Sequence, residues 1–214
     1  MAGKTDEAYA LARHRMVTEQ IEERGIRNAT VLQAMRSVPR EAFVPLFLKR
    51  WAYGDRPLYI GYDQTISQPY MVGLMTEALQ LKGSERVLEV GTGSGYQTAV
   101  LAEISAAVYS IERIARLSRR AERTLEQLGY ANVHLRVADG TQGWPEAAPF
   151  DAILVTAGTA KIPYAYGKQL QERGRLVIPL GPHGDQVLHR FTRRGEGFDD
   201  EDLGRVSFVP LISS

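Results

Sequence analysis

The chain has 214 residues, of which 44% are hydrophobic, and its 26 lysines and arginines nearly balance 25 acidic residues to give a net charge of +1. That composition excludes disordered and collagen-like chains, and the balanced charge offers no overall field to attract nucleic acid or an anionic membrane. No cysteine is present, which excludes disulfides, thiolate metal sites and a cysteine nucleophile. The polar N-terminus lacks the apolar stretch of a signal peptide and no stretch has membrane-spanning length, so we expect a cytoplasmic protein.

The N-terminal part of the chain predicts two helices. The first ten residues are polar and are expected to fray, after which apolar residues recur at helical spacing over residues 11–24, with Gly25 as the C-terminal cap. Thr30 is a candidate cap for a second, shorter helix that Pro39 ends.

A long irregular stretch follows over residues 41–66, and ordered loops of this length are often functional. Ser67 then precedes Gln68-Pro69 and an apolar helix that reaches about residue 81, a pattern typical of a helix N-cap. We expect residues 1–82 to form a helical cap with this loop, packed on the rest of the chain as one compact unit.

Strands and helices alternate from residue 83 onward. The predicted strands cover residues 86–90, 107–111, 133–138, 151–156 and 175–180, with predicted helices at 96–104, 114–129 and 163–171 between them. Two more strands, at 186–192 and 205–212, have no helix between them and predict an antiparallel edge. The pattern predicts an α/β fold in which residues 83–214 form a doubly wound, mostly parallel sheet of about seven strands.

A glycine-rich turn follows the first strand of this core, at the position where such sheets bind ligands. It consists of Gly91, Thr92, Gly93, Ser94 and Gly95. A dinucleotide fingerprint requires a third glycine at position 96, which is a tyrosine here. Glu89, two residues before the turn, favours a positively charged ligand such as S-adenosylmethionine over a pyrophosphate.

Two more acidic residues close the next two predicted strands. Glu112 lies 17 residues beyond Gly95 and can accept hydrogen bonds from both hydroxyls of a ribose. Asp139 can meet an adenine amino group. Either acid alone would be interpreted as a helix cap, but together with the glycine turn they predict a nucleoside pocket. Arg113 and Gly140, next to the two acids, belong to the predicted pocket.

Several segments resemble the protein-L-isoaspartate O-methyltransferase family. They are residues 61–69 with the element Thr65-Ile66-Ser67-Gln68-Pro69, residues 87–99 with the glycine turn, and residues 150–153, 174–181 and 208–211. The resemblance spans roughly residues 16–211. Many methyltransferases share the glycine turn, whereas Thr-Ile-Ser-Gln-Pro, Ile-Pro-Leu-Gly and Phe-Val-Pro-Leu are far more specific to this family.

The resemblance implies a Rossmann-like enzyme that transfers a methyl group from S-adenosylmethionine to the free α-carboxylate of L-isoaspartyl residues in damaged proteins. The ester then closes to a succinimide, whose hydrolysis returns some normal aspartate. The resemblance also implies that Ser67 is the active-site serine and that residues 61–64 line the cofactor or the acceptor. We assign Gln64, Thr65 and Ser67 to the cofactor and Tyr62 and Ile66 to the acceptor.

The chemistry of this acceptor needs no general base, because a carboxylate is already ionised at pH 7. The enzyme has to hold the carboxylate in line with the methyl group and exclude water. Ser67 is therefore interpreted as an orienting donor, as a helix cap, or as both.

The acceptor peptide has to bind in an extended form without a fixed sequence, and backbone hydrogen bonds along a sheet edge can achieve this. The last predicted strand, residues 205–212, is the candidate edge, since proline is confined to sheet edges. Its expected contact residues are Val209, Pro210 and Leu211.

No metal site is expected, because the four histidines, at positions 14, 134, 183 and 189, lack the spacing of metal ligands. The arginines of the predicted helix at 114–129 alternate with glutamates, which favours a solvated face over an RNA site. We expect a monomer without a nucleic-acid or membrane partner.

Two alternatives stay open. A methyltransferase acting on RNA or a small molecule would share the cofactor pocket but carry a different element at residues 61–69. A non-catalytic S-adenosylmethionine-binding protein would be expected to have lost Glu89, the glycines, Glu112 or Asp139, all of which are present. A nicotinamide-dependent oxidoreductase fits least, given Tyr96 and Glu89.

Overall fold

The structure is a computed structural model that describes residues 2–212, with side chains from residue 6 onward. Two short strands, β1 (Leu58–Gly61) and β2 (Gln64–Ile66), pair as an antiparallel hairpin. The strands of the main sheet are β3 (Arg86–Val90), β4 (Ala107–Glu112), β5 (Val133–Val137), β6 (Phe150–Val155), β7 (Leu170–Leu180), β8 (Gln186–Arg194) and β9 (Gly197–Val206).

The sheet has the strand order β5-β4-β3-β6-β7-β8-β9. The strands from β5 to β7 are parallel, and β8 and β9 add an antiparallel edge. The strand order reverses direction beside β3, between β4 and β6, which is where open α/β sheets bind ligands. The predicted fold class is confirmed.

The helices are α1 (Ala2–Val17), which continues into a π-helical turn (Thr18–Glu22), α2 (Ala29–Ser37), α3 (Pro69–Ala78), α4 (Tyr96–Ala102), α5 (Ala115–Gln127) and α6 (Tyr164–Gln169). The first helix starts nine residues earlier than its predicted start at Leu11, so the expectation that the first ten residues fray was wrong for residues 2–10.

The cap of α2 is Asn28 and not the predicted Thr30. Asn28 has an extended backbone, and its side-chain oxygen accepts hydrogen bonds from the N–H groups of Thr30 and Val31 at 3.0 and 3.2 Å. A side chain outside the first turn can reach these free N–H groups, whereas Thr30 already lies within that turn.

The stretch at residues 41–66 is ordered and carries short elements of its own. Two 3-10 turns, Arg40–Phe43 and Leu46–Trp51, precede the β1–β2 hairpin. The helix that follows begins at Pro69 with Gln68 as its N-cap, so the cap interpretation of Ser67 was wrong. Ser67 lies one residue too early for that position.

The last strand was predicted at residues 205–212, but β9 covers Gly197–Val206. The acidic residues of β9 lie between the two predicted strands, where local propensity favours a loop because aspartate is depleted in strands. In the structure they pair with basic side chains of β8, and such cross-strand pairs stabilise a sheet. The pairs are His189–Asp200, Arg190–Glu201 and Arg194–Asp199.

The N-terminal helices share a hydrophobic core with the sheet. One buried cluster contains Met35 of α2, Met75 of α3, Val100 of α4 and Val108 of β4. A second cluster, which includes Leu88 and Phe150, occupies the opposite face. One hydrophobic core therefore extends across the predicted boundary at residue 82.

Candidate active site

A cavity of about 410 Å³ opens at the carboxyl ends of β3 and β4. This volume is in the range of pockets for small molecules and cofactors. Four segments line it. They are the hairpin with its continuation (residues 62–67), Val90 with the first four residues of the glycine turn (91–94), the end of β4 with the residues after it (111–114), and the C-terminal segment (209–212). Further lining residues are Val72, Tyr96, Gln97, Gly140, Thr156 and Ala157.

The glycine turn is fixed against both neighbouring strands. The N–H groups of Gly91 and Thr92 donate to the carbonyl of Ile111 on β4 at 2.8 and 3.2 Å. On the other side, Thr156 Oγ1 donates to the carbonyl of Gly91 at 2.7 Å. Gly91 has a φ of +102°, and a Cβ atom there would lie 2.3 Å from Thr156 Oγ1. Only glycine fits this position without a local shift.

Glu112 ends β4 and lies in the cavity wall. Its Oε2 accepts a hydrogen bond from the N–H of Gly93 at 2.9 Å, and its Oε1 accepts one from the N–H of Ile114 at 2.8 Å. These bonds fix the orientation of the carboxylate. Since a carboxylate has about four acceptor sites, it can still accept hydroxyl donors from the cavity side.

Glu89 lies behind the glycine turn and outside the cavity lining that the described residues form. It is fully buried, and its Oε2 accepts hydrogen bonds from the hydroxyls of Thr98 and Ser110, both at 2.5 Å. Burial raises the pKa of Glu89 to about 8, against the opposing effect of those two hydroxyl groups. Side chains alternate along a strand, so Val90 faces the cavity and Glu89 faces α4. The Glu89 side chain therefore does not face the cavity, and its contact with a bound cofactor stays a prediction.

Gly95 and Asp139 also lie outside that lining, whereas Gly140 is part of it. Gly95 is the N-cap of α4. The Oδ1 atom of Asp139 accepts hydrogen bonds from the N–H and the hydroxyl of Thr141, at 2.9 and 2.7 Å. Contact of Asp139 with an adenine stays a prediction.

The hairpin brings all of its predicted site residues to the cavity. Tyr62, Gln64, Thr65, Ile66 and Ser67 line it, and so does Asp63. The carbonyl of Ser67 accepts a hydrogen bond from Arg40, at 2.7 Å. Arg113 lies opposite in the lining, with an exposed side chain.

The predicted acceptor residues Val209, Pro210 and Leu211 line the cavity, although they do not belong to an edge strand. An extended segment there runs beside Gly158, whose N–H donates to the carbonyl of Val209 at 2.8 Å. The N–H of Leu211 in turn donates to the carbonyl of Gly158 at 2.7 Å. This segment is therefore bridged to the loop after β6 and is not a strand at the edge of the main sheet, and acceptor binding along it stays a prediction.

Sequence reasoning missed several lining residues. They are Val72, Val90, Tyr96, Gln97, Ile111, Ile114, Thr156, Ala157 and Ile212. A signal existed for Thr156, which ends the predicted fourth strand at the sheet edge where ligands bind. Val72 had none, because the position of α3 over the glycine turn depends on tertiary packing.

The residues present fit S-adenosylmethionine in size and donor set. The cavity is large enough for a nucleoside with a short side chain, the tight turn leaves room for a ligand against its backbone, and Glu112 provides a fixed acceptor for ribose hydroxyls. Over residues 2–212 there is no cluster of three acidic or histidine side chains arranged to hold a metal ion. The same residues include no helix long and apolar enough to cross a membrane.

Comparisons with known proteins identify the family of this chain. The family model described as protein-L-isoaspartate(D-aspartate) O-methyltransferase (PCMT) matches residues 12–214. A protein-L-isoaspartate O-methyltransferase from Methylorubrum extorquens is 59% identical over 95% of this chain and 89% of its own. Protein-L-isoaspartate O-methyltransferase 1 of Syntrophobacter fumaroxidans is 56% identical over 95% of both chains.

Solved structures are similar over nearly the whole chain. A protein-L-isoaspartate O-methyltransferase superposes with a TM-score of 0.83 at 29% identity, and the match covers 92% of this chain and 65% of that one. A Plasmodium falciparum beta-aspartate methyltransferase, solved with S-adenosyl-L-homocysteine, gives a TM-score of 0.81 at 26% identity, covering 94% of this chain and 99% of that one. The resemblance predicted from the motifs is confirmed, and the chain belongs to the protein-L-isoaspartate(D-aspartate) O-methyltransferase family.

Proposed function

We propose that this chain transfers a methyl group from S-adenosylmethionine to the free α-carboxylate of L-isoaspartyl residues in proteins and peptides, the first step of their repair through a succinimide. The observation that carries the proposal is that Ser67 and the glycine turn line one cavity. The segment most specific to the family thus faces the segment that binds the cofactor in many methyltransferases.

The cofactor, when bound, supplies a methyl group on a positively charged sulfur. The cofactor can lie against the backbone of the glycine turn, and the Glu112 carboxylate can accept hydrogen bonds from its ribose hydroxyls. Thr92 and Ser94 add polar groups to the same wall. We assign Gln64, Thr65, Arg113 and Gly140 to cofactor contacts on the basis of their place in the lining.

The acceptor side is formed by Tyr62, Ile66, Ser67 and the segment 209–211. Ser67 can donate its hydroxyl to the acceptor carboxylate and orient one oxygen towards the methyl group. The apolar side chains of Ile66, Val72 and Leu211 exclude water from the reacting atoms. No proton has to be removed from an ionised carboxylate, so the reaction needs no base such as histidine, and the lining formed by the described residues contains none.

We also propose that the chain acts as a monomer in the cytoplasm and without nucleic acid. The nearly balanced charge supports the lack of a nucleic-acid partner, and the absence of cysteine is consistent with a reducing compartment. The sequence has no heptad repeat of the kind that forms coiled-coil oligomers, which supports the monomer. Size-exclusion chromatography with light scattering would measure the mass directly, and a dimer at micromolar concentration would contradict the monomer.

The experiment is methyl transfer from labelled S-adenosylmethionine to two peptides that differ only in isoaspartate or aspartate at one position. We expect base-labile label on the isoaspartyl peptide alone. If neither peptide is labelled although the protein binds S-adenosyl-L-homocysteine, the proposed acceptor is contradicted. Transfer to RNA or to small carboxylates would then support the alternative methyltransferases. Cofactor binding without transfer to any of these acceptors would favour a non-catalytic protein.

A further inference from the structure

Arg40 is a buried cation that has no counter-ion among the side chains the structure describes. Its side chain is fully buried in the 3-10 turn Arg40–Phe43, and it takes part in none of the ion pairs formed within residues 6–212. Burial lowers the pKa of Arg40 to about 10, which leaves the guanidinium charged at neutral pH. Burying a charge without an opposite charge destabilises the fold. A residue placed there for stability alone would be expected to be neutral.

The guanidinium contacts both walls of the cavity. Its Nη2 donates to the carbonyl of Ser67 at 2.7 Å, in the wall assigned to the acceptor. Its carbon lies 4.8 Å from the ring centroid of Tyr96, the first residue of α4 and the direct continuation of the glycine turn. Phe43, from the same 3-10 turn, meets that ring edge-on with centroids 5.7 Å apart.

The third contact anchors the side chain from behind. Arg40 Nε donates to the carbonyl of Ala52 at 2.7 Å, whereas Nη1 has no hydrogen-bond partner among the described residues. Charged donors make the stronger kind of hydrogen bond, so the bond to Ser67 is held firmly. The guanidinium therefore contacts Ser67 and Tyr96 while one of its nitrogens, Nη1, is left without a hydrogen-bond partner among the described residues.

Ser67 itself has few other restraints among the described residues. Strand β2 ends at Ile66 and α3 begins at Pro69, so two residues connect them. In the described structure the N-cap, Gln68, makes no side-chain capping bond, and Pro69 has no N–H to donate. Gln68 Nε2 donates to Asp55 Oδ1 at 2.8 Å, which ties this connection to the loop before β1. Among the described residues, the bond from Arg40 is the one that links Ser67 to a side chain also in contact with Tyr96.

We infer that Arg40 is a positioning residue for methyl transfer, which holds Ser67 at a fixed distance from the glycine turn so that the acceptor carboxylate lies in line with the methyl group. The inference rests on the proposed function. An in-line displacement depends steeply on such alignment, and a misplacement of about 1 Å can reduce the rate about 100-fold.

A second arginine provides a matched control. Arg175 donates through Nε to the carbonyl of Leu79 at 2.7 Å and through Nη2 to that of Gln80 at 3.1 Å, beyond the opposite end of α3. It lies outside the cavity lining formed by the described residues. Loss of its contacts should destabilise the fold around the same helix without moving Ser67.

The test compares wild type with Arg40→Met, Arg40→Lys and Arg175→Met, and measures Tm, the Kd of S-adenosyl-L-homocysteine, and kcat and KM for the isoaspartyl peptide. All rates are taken below the Tm of the least stable variant. We expect Arg40→Met to lower kcat roughly 10- to 100-fold while Kd changes less than about threefold. Arg40→Lys can keep one of the two hydrogen bonds to carbonyl groups, so its kcat should lie between those of wild type and Arg40→Met. Arg175→Met should lower Tm and leave kcat unchanged.

A wild-type kcat in Arg40→Met, or a loss of kcat in proportion to Tm that Arg175→Met also shows, would overturn the inference. Should Arg40→Met not fold, Arg40→Lys decides: a reduced kcat at unchanged Kd supports the role, and a wild-type kcat overturns it. Wild-type protein that does not methylate the isoaspartyl peptide would contradict the proposed function and this inference together, and that result is visible before any variant is examined.

Discussion

The backbone N–H of Gly93 lies 2.9 Å from Oε2 of Glu112, so the glycine turn after β3 is hydrogen-bonded to the acid that ends β4. The two residues come from separate motifs in the sequence, and the parallel pairing of their strands brings them together. This bond makes the shape of the turn and the orientation of the carboxylate depend on each other.

Glu112→Gln should therefore weaken cofactor binding. The amide has one acceptor oxygen instead of two, so it cannot serve Gly93, Ile114 and ribose hydroxyls together. We expect the Kd of S-adenosyl-L-homocysteine, measured by calorimetry, to rise about 10- to 100-fold, as for the loss of hydrogen bonds to a charged group. Glu126→Gln, at an exposed position of α5, should leave Kd unchanged. Equal Kd values for both variants would contradict the place of Glu112 in the cofactor site.

Gly91→Ala should destabilise the fold. The new Cβ would meet Thr156 Oγ1 at 2.3 Å, and the residue would also have to keep a φ of +102°. Gly129 has a φ of +83° with nothing within 4 Å of a built Cβ, so Gly129→Ala measures the conformational cost alone, about 1 kcal/mol. In urea unfolding, Gly91→Ala should lose clearly more free energy than Gly129→Ala. Equal losses would show that the turn yields easily beside Thr156.

Ser67→Ala should reduce catalysis and leave stability almost unchanged. Because the N-cap of α3 is Gln68, removing the Ser67 hydroxyl breaks no cap, while an acceptor carboxylate loses a donor worth about 10- to 100-fold in kcat/KM. Asn28→Ala is the converse control, since Asn28 is a cap whose loss costs about 1 kcal/mol of unfolding free energy. A Ser67→Ala protein with wild-type kcat/KM would remove this serine from the reaction.

Glu89→Gln should change how stability depends on pH. Because burial raises the pKa of Glu89 from its ordinary value of 4.5 to about 8, the folded state retains this proton over a range where the unfolded state has lost it. The contribution of Glu89 to the free energy of unfolding therefore declines as the pH rises from about 4.5 to about 8, by a few kcal/mol, and is constant above that range.

Thermal melts at pH 5, 6.5 and 8 measure this effect. We expect Glu89→Gln and wild type to melt together at pH 5, where both side chains are neutral, and the variant to melt higher at pH 8. Parallel curves across the whole range would contradict a protonated Glu89 in the folded protein.

The sequence predicted those parts of the fold in which local pattern and packing agree. The apolar run of β6 identified a buried parallel strand, and the glycine turn located the cavity. Cross-strand ion pairs of this chain, such as Arg190–Glu201, stabilise a strand in a segment that local propensity favours as a loop. Tertiary pairing of this kind is not visible in a single segment.

Within the site, the identity of residues was easier to predict than the direction of their side chains. Ser67 and Glu112 line the cavity as expected, whereas Glu89 faces α4 because of its place in the alternation of β3. Arg40 could not be anticipated at all. It is one arginine among many in the sequence, and its contact with Ser67 joins positions 27 residues apart.

The most direct test of the account is a crystal structure of this chain with S-adenosyl-L-homocysteine and an isoaspartyl peptide. We predict that the cofactor product lies against residues 91–94 with its ribose at Glu112, and that the free α-carboxylate of the peptide meets Ser67 in the same cavity. A peptide carboxylate bound outside that cavity, or a cofactor product bound away from the glycine turn, would contradict the account.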